Sequence, residues 1–174
     1  MMKLLSLQNK LKRVFVSIKA FYIRFLKIRG TPEQISLGMA LGLFIGMTPF
    51  MGFHTITAVA MASIFGWNKL AAGIGVFITN PFTAPVIYAF TYQLGSNITG
   101  YSDPGELASL FKDDGVIALI KSSPMIILDL LIGGMIIGIP VTVIGYFATL
   151  KIVKDARKKF KKRKRLRNRP DSKR

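Results

Sequence analysis

The sequence predicts an all-α integral membrane protein. It combines Pro/Gly-broken helices, re-entrant or bent, with full transmembrane helices and an N-terminal amphipathic helix. Three observations carry this expectation. Of 174 residues, 51% are hydrophobic and only 19% charged. The charges, netting +17, are gathered at the two ends. Between the ends lie long apolar runs, two of which are cut by prolines inside the run. Basic ends around an apolar centre place both termini on the cytoplasmic side, because Lys and Arg are retained there.

Residues 1–30 form the first segment. Lys3, Lys10, Lys12, Arg13, Lys19, Arg24, Lys27 and Arg29 are its bases, and it has no acid. Leu4, Leu7, Leu11, Val14, Ile18, Phe21, Phe25 and Ile28 recur at spacings of three and four, with the bases mostly opposite. That pattern predicts an amphipathic helix over residues 3–29, lying on an anionic leaflet or docked on the rest of the protein. A base every few residues leaves no uninterrupted apolar stretch of the kind a cleavable signal peptide needs.

Residues 31–150 are the membrane domain. Gly30 ends the first helix, and Thr31-Pro32-Glu33-Gln34 has the makings of a capping box with proline at the first helical position. Glu33 then sits in the first turn, where a carboxylate complements the helix dipole, which explains it without catalysis. Residues 35–65 follow as a broken hairpin. Gly38, Gly42 and Gly46 make a smooth strip every four residues, suited to close backbone approach. Thr48-Pro49 and Gly52 break the run into halves of roughly 14 and 12 residues, both short of the ~20 that a span needs. Trp67 and Lys69 close the hairpin as interfacial anchors.

Residues 70–94 are a second broken segment, cut at Asn80-Pro81 and Pro85. Proline removes a donor and pushes the preceding residue out of the helical region. Carbonyls freed near Phe77 and Pro81 cannot face lipid, so the segment is buried in protein or lines a wet cavity. Thr79, Asn80 and Thr83 surround the break and can supply polar partners. Gly42 to Phe50 and Gly75 to Phe82 are weakly self-similar. Paired broken helices mark mid-membrane transport sites, although Gly, Phe, Ile and Pro also match by chance in membrane segments.

Residues 96–123 read as a polar, mildly acidic loop on the outer side, poor in Lys and Arg. Its four carboxylates match no calcium-loop spacing and suit solvated caps. Residues 124–150 are the cleanest transmembrane helix, with Gly134 and Gly138 as a packing face and Pro140 inside it. Asp129 lies one turn in, near enough to the interface to meet water or Lys121. Residues 151–174 are a basic tail that extends the helix towards Phe160 and then gives way to a disordered end. Its partner is an anionic leaflet. Nucleic-acid binding ranks lower, since no reading domain accompanies the basic residues.

No cysteine is present, so disulfides and thiolate metal sites are excluded. With one histidine and no phosphate loop between a strand and a helix, no catalytic constellation, cofactor or metal is expected. The candidate substrate-binding residues are Thr48, His54, Thr79, Asn80 and Thr83, grouped at the two breaks. His54 has two readings: a proton relay or head-group ligand, or a neutral ring satisfied by a carbonyl at the bend. Two functions stay open, transport of a polar substrate or lipid head group, and a non-catalytic scaffold that recruits lipids or proteins. For transport, a chain this small needs a homo-oligomer to enclose a path.

Thr31-Pro32-Glu33, the glycine-rich run ending Gly46-Met47-Thr48-Pro49, and Thr79-Asn80-Pro81-Phe82-Thr83-Ala84-Pro85 followed by Tyr88 together resemble the DUF2062 family. The resemblance covers roughly residues 10–155. It implies a prokaryotic membrane domain in the bacterial inner membrane, and it supplies neither an activity nor catalytic residues.

Overall fold

The computed structural model describes residues 28–50, 52–100 and 124–167. Of the amphipathic helix expected over residues 3–29, only Ile28 and Arg29 are described, and they are not helical; the rest of it, the bulk of the polar loop, Lys121 and the last seven residues lie outside that set. Among the described residues there are five helices and no strand: α1 (Pro32–Gly46), α2 (His54–Ile64), α3 (Lys69–Val76), α4 (Ala84–Thr99) and α5 (Pro124–Arg167). They fall into two compact units. One is Gly30–Lys151, and the other holds Ile28, Arg29 and the part of α5 from Ile152 onward.

The capping box expected at Thr31 forms. Thr31 Oγ1 accepts from Gln34 N at 3.1 Å, and Gln34 Oε1 accepts from Thr31 N at 2.9 Å. Gly30, at φ +124°, supplies the backbone turn into it. The helix then runs to Gly46, and the chain bends through Met47–Phe53 into α2. Trp67 and Asn68 bring the chain back beside the start of α1, where Asn68 N donates to the Gln34 carbonyl at 3.1 Å. So α1 and α2 form a hairpin that returns to its own beginning. Phe65 and Trp67 pack ring against ring at 4.9 Å where it closes.

α3 starts there, N-capped by Asn68 Oδ1 on Ala71 N at 2.8 Å. It lies along the glycine strip of α1 in the same direction. A Cβ on Gly38 would overlap the Asn68 carbonyl, one on Gly42 the Ala72 carbonyl, and one on Gly46 would come 3.3 Å from the Val76 carbonyl. Gly75 returns the fit, since its Cβ would lie 2.5 Å from the Met39 carbonyl. Leu41, Ile45, Ala58, Ala62, Ala72 and Val76 form the core that these three helices share. Because α1 and α3 are parallel, both end at the same level, and their two breaks meet.

α4 resumes after the second break and continues away from that level. Its partner is α5, in antiparallel register: Gly133 meets the Thr91 carbonyl and Gly95 the Asp129 carbonyl. Neither glycine has room for a Cβ. Ala84, Tyr88, Tyr92, Ile126 and Leu130 fill this second core. Past Gly133, α5 descends along α1, with Gly134 against the Met47 carbonyl and Gly138 against Met47 and Phe44. The helix does not stop near Phe160 but continues to Arg167. Likewise Ser96–Thr99, expected in the loop, are the last turn of α4, closed by Gly100 at φ +68°. In the second unit, Arg157 Nη2 donates to the Ile28 carbonyl at 3.5 Å.

Candidate functional site

The two breaks are tied together by hydrogen bonds. Thr79 Oγ1 donates to the Gly46 carbonyl at 2.5 Å, across 33 residues of sequence. Tyr88 OH donates to the Thr48 carbonyl at 3.2 Å, and His54 Nε2 lies 2.8 Å from the same oxygen. A carbonyl only accepts, so Nε2 carries the proton and Nδ1 remains an acceptor in the neutral ring. His54 is buried. It therefore does what the blander of its two sequence readings asked, satisfying a carbonyl at the bend, while its other nitrogen is left over.

Side chains hold backbone groups at both bends, as suits a chain segment where water is scarce. At the first, Thr48 Oγ1 donates to the Ile45 carbonyl at 2.7 Å. At the second, Asn80 holds three backbone groups. Its Oδ1 accepts from Phe82 N at 2.9 Å and Thr83 N at 3.1 Å, and its Nδ2 donates to the Phe77 carbonyl at 3.4 Å. Thr83 Oγ1 accepts from Asn80 N at 3.0 Å and donates to the Ile78 carbonyl at 2.7 Å. Asn80 and Thr83 thus close a compact turn around Pro81, and the carbonyl freed near Phe77 finds its partner in Asn80.

Between the bends is a cavity of about 290 Å³, lined by Gly52, His54, Thr55, Val76, Phe77, Thr79, Asn80 and Pro81. Of the five candidate residues, His54, Thr79 and Asn80 come together on its wall. Thr48 and Thr83 stand behind it and fix the bends. α2 begins at this cavity with no side-chain cap on its first turn, so the positive end of its dipole is directed there. Sequence reasoning missed Thr55 as a lining residue and Tyr88 as a brace. Thr55 was legible as the neighbour of His54. Tyr88 carried no local signal, because its partner is 40 residues away.

Asp129 is fully buried, and Thr99 Oγ1 is hydrogen-bonded to its Oδ1. Its Oδ2 has no partner. Beside the water or Lys121 expected for it, the structure gives Asp129 a partner on the facing helix. Thr99→Val is expected to lower stability by about 1–3 kcal/mol, the cost of leaving a buried polar group without its partner. Thermal melting in detergent reads this.

Large apolar side chains are exposed all around the bends and helices. Phe53, Ile56, Phe77, Phe82 and Phe90 are each more than half exposed, Phe82 by 92%. Soluble proteins rarely leave contiguous apolar surface on this scale. One helix among the described residues, over Pro124–Lys162, is long and apolar enough to cross a membrane. Together these define an all-helical, membrane-associated protein with two broken helices meeting at a cavity. The chain belongs to the DUF2062 family, described as an uncharacterized protein conserved in bacteria, whose model matches residues 16–162. No curated protein and no solved structure matches it.

Proposed function

We propose that this is a multi-pass bacterial inner-membrane transporter or lipid head-group translocator, with its polar site where the two helix breaks meet. The carrying observation is the cavity that joins His54, Thr55, Thr79 and Asn80 between hydrogen-bonded bends. In this reading the α1–α2 hairpin is re-entrant. At 15 residues α1 is about 22 Å long, short of a hydrocarbon core of about 30 Å. α3, the second break and α4 together make one broken crossing, and α5 returns. Both termini are cytoplasmic in this reading, which the gathering of Lys and Arg at the two ends favours. A helix N-terminus without a side-chain cap at the cavity favours an anionic group.

A second reading keeps one specific observation. α5 continues past the apolar stretch as a basic helix, with Lys158, Lys159, Lys161 and Lys162 exposed. That favours a scaffold held on an anionic leaflet, its charges each worth about 1 kcal/mol. The test uses the purified protein in vesicles of phosphatidylglycerol and phosphatidylcholine. Flipping of a fluorescent phosphatidylglycerol is followed by dithionite quenching, and uptake of radiolabelled phosphate is followed in parallel. Transport is expected in at least one assay. A protein that moves neither, and that stays strictly monomeric in mild detergent, leaves only the scaffold.

A further inference from the structure

A second groove runs between α2 and α3. It is lined by Thr55, Val59, Lys69, Leu70, Gly73, Ile74 and Phe77, with a volume of about 450 Å³. It is wider and more open than the cavity at the breaks. Thr55 and Phe77 line both. Eight residues of α3 separate Lys69 from Phe77, so the groove climbs about 12 Å from its charged mouth to the cavity. Its character changes along that path. Lys69 is exposed at the foot, Gly73 and Ile74 line the middle, and the upper end reaches Thr55 and Phe77, which also line the cavity at the breaks. Leu70 and Phe77 stand exposed beside it.

We propose that this groove is the lateral entry site of an anionic phospholipid. The lipid phosphate rests on Lys69 while an acyl chain lies along Gly73 and Ile74, and the groove leads the head group to the cavity at the breaks. The inference rests on the transport reading and names its substrate class. Three features favour this occupant. The cation stands at the foot of the groove, two residues from Trp67, and Trp and Lys are side chains that anchor at the level of lipid head groups. The walls above it are apolar, as an acyl chain requires. The apolar groove shares Thr55 and Phe77 with the polar cavity, and a soluble anion would have no reason to travel past Leu70 and Phe77. A flexible Lys side chain suits a phosphate approached from varied angles.

Gly73 makes the proposal testable. A Cβ there meets only Val59 Cγ2, at 3.8 Å, an ordinary contact. A large side chain at this position fills the groove without pressing on a backbone. Gly73→Phe is therefore expected to melt like the wild type and to lose bound lipid. Val59→Phe plugs the same groove from α2 and serves if Gly73→Phe fails to fold. Lys69→Gln removes the phosphate contact alone. The experiment measures retained phosphatidylglycerol by native mass spectrometry, beside flipping of the fluorescent lipid and uptake of phosphate in vesicles. Wild-type protein is expected to retain phosphatidylglycerol, and either plug to abolish both retention and flipping. Lys69→Gln should weaken retention about fivefold, the effect of one lysine on an anionic lipid.

Retention unchanged in a folded plug variant overturns the inference. Phosphate uptake by a wild-type protein that neither retains nor flips phosphatidylglycerol also overturns it while leaving transport intact. Plug-sensitive lipid retention without movement of lipid or phosphate does the reverse: it keeps the site and removes transport.

Discussion

Replacing Gly133 by leucine is expected to abolish the native α4–α5 packing. A Cβ at Gly133 would overlap the Thr91 carbonyl oxygen, and a Cβ at Gly95 the Asp129 carbonyl. These obstacles are backbone atoms, which cannot rotate away as a side chain can. The helices would have to separate along their whole crossing, taking Tyr88, Tyr92, Ile126 and Leu130 out of contact. Overpacking alone costs about 1–3 kcal/mol, and loss of the shared core adds to it. Gly133→Leu and Gly95→Leu should each fail to give a monodisperse peak in detergent chromatography. Gly73→Ala, also within a helix but with only an ordinary contact to Val59 Cγ2 at 3.8 Å, should behave as the wild type. A normal peak and melting temperature for either leucine variant would show that the two helices do not cross at these glycines.

Asn80→Leu is expected to be nearly as damaging, although it makes an apolar segment more apolar. It leaves Phe82 N and Thr83 N without the Oδ1 acceptor and the Phe77 carbonyl without its donor. Thr83 N keeps the Asn80 carbonyl, at 3.0 Å, so two groups lose their partner, and at about 1 kcal/mol for each lost hydrogen bond a loss of about 2 kcal/mol is expected. Asn97→Leu is the control. Asn97 is exposed on α4 and accepts only from Gln93 Nε2, at 3.3 Å. If Asn80→Leu melts with the wild type and still transports, Asn80 neither holds the turn nor forms part of a polar site. A stable variant that no longer transports assigns Asn80 to the substrate.

The local features of this fold were legible because they are chemical punctuation. Thr31 and Gln34 can hardly be anything but a capping box. The prolines after Thr48 and after Asn80 stand beside residues that favour turns and mark the two breaks, whereas Pro140 lies inside α5 without ending it. The four-residue spacing of Gly38, Gly42 and Gly46 announced a contact face. What it faced was not legible. In a soluble helix, polar residues mark the outer side, but here Ile64 is exposed and Ile35 is buried with the same side chain. Apolar periodicity therefore cannot separate the interior from a lipid-facing surface. The meeting of the two breaks depends on Thr79 reaching Gly46 and Tyr88 reaching Thr48. Nothing local encodes a partner 33 or 40 residues away. Asp129 shows the same limit. Its partner Thr99 fell inside a segment read as loop, because Ser96–Thr99 are polar enough to resemble one although α4 continues through them.

The central claim is that both breaks lie at depth in a membrane, approached from the cytoplasmic side by a hairpin that does not cross. The chain has no native cysteine, so single cysteines report position cleanly. Lys69 closes the hairpin, Asn97 lies in the last turns of α4, and Lys161 is in the basic part of α5, and all three are exposed. Cysteines placed singly at these positions are challenged with a membrane-impermeant maleimide on intact spheroplasts and again after lysis. Asn97→Cys should label on intact spheroplasts. Lys69→Cys and Lys161→Cys should label only after lysis. Labelling of Lys69→Cys from outside would mean that the hairpin crosses, and equal labelling of all three on intact spheroplasts would mean that these helices do not span a membrane.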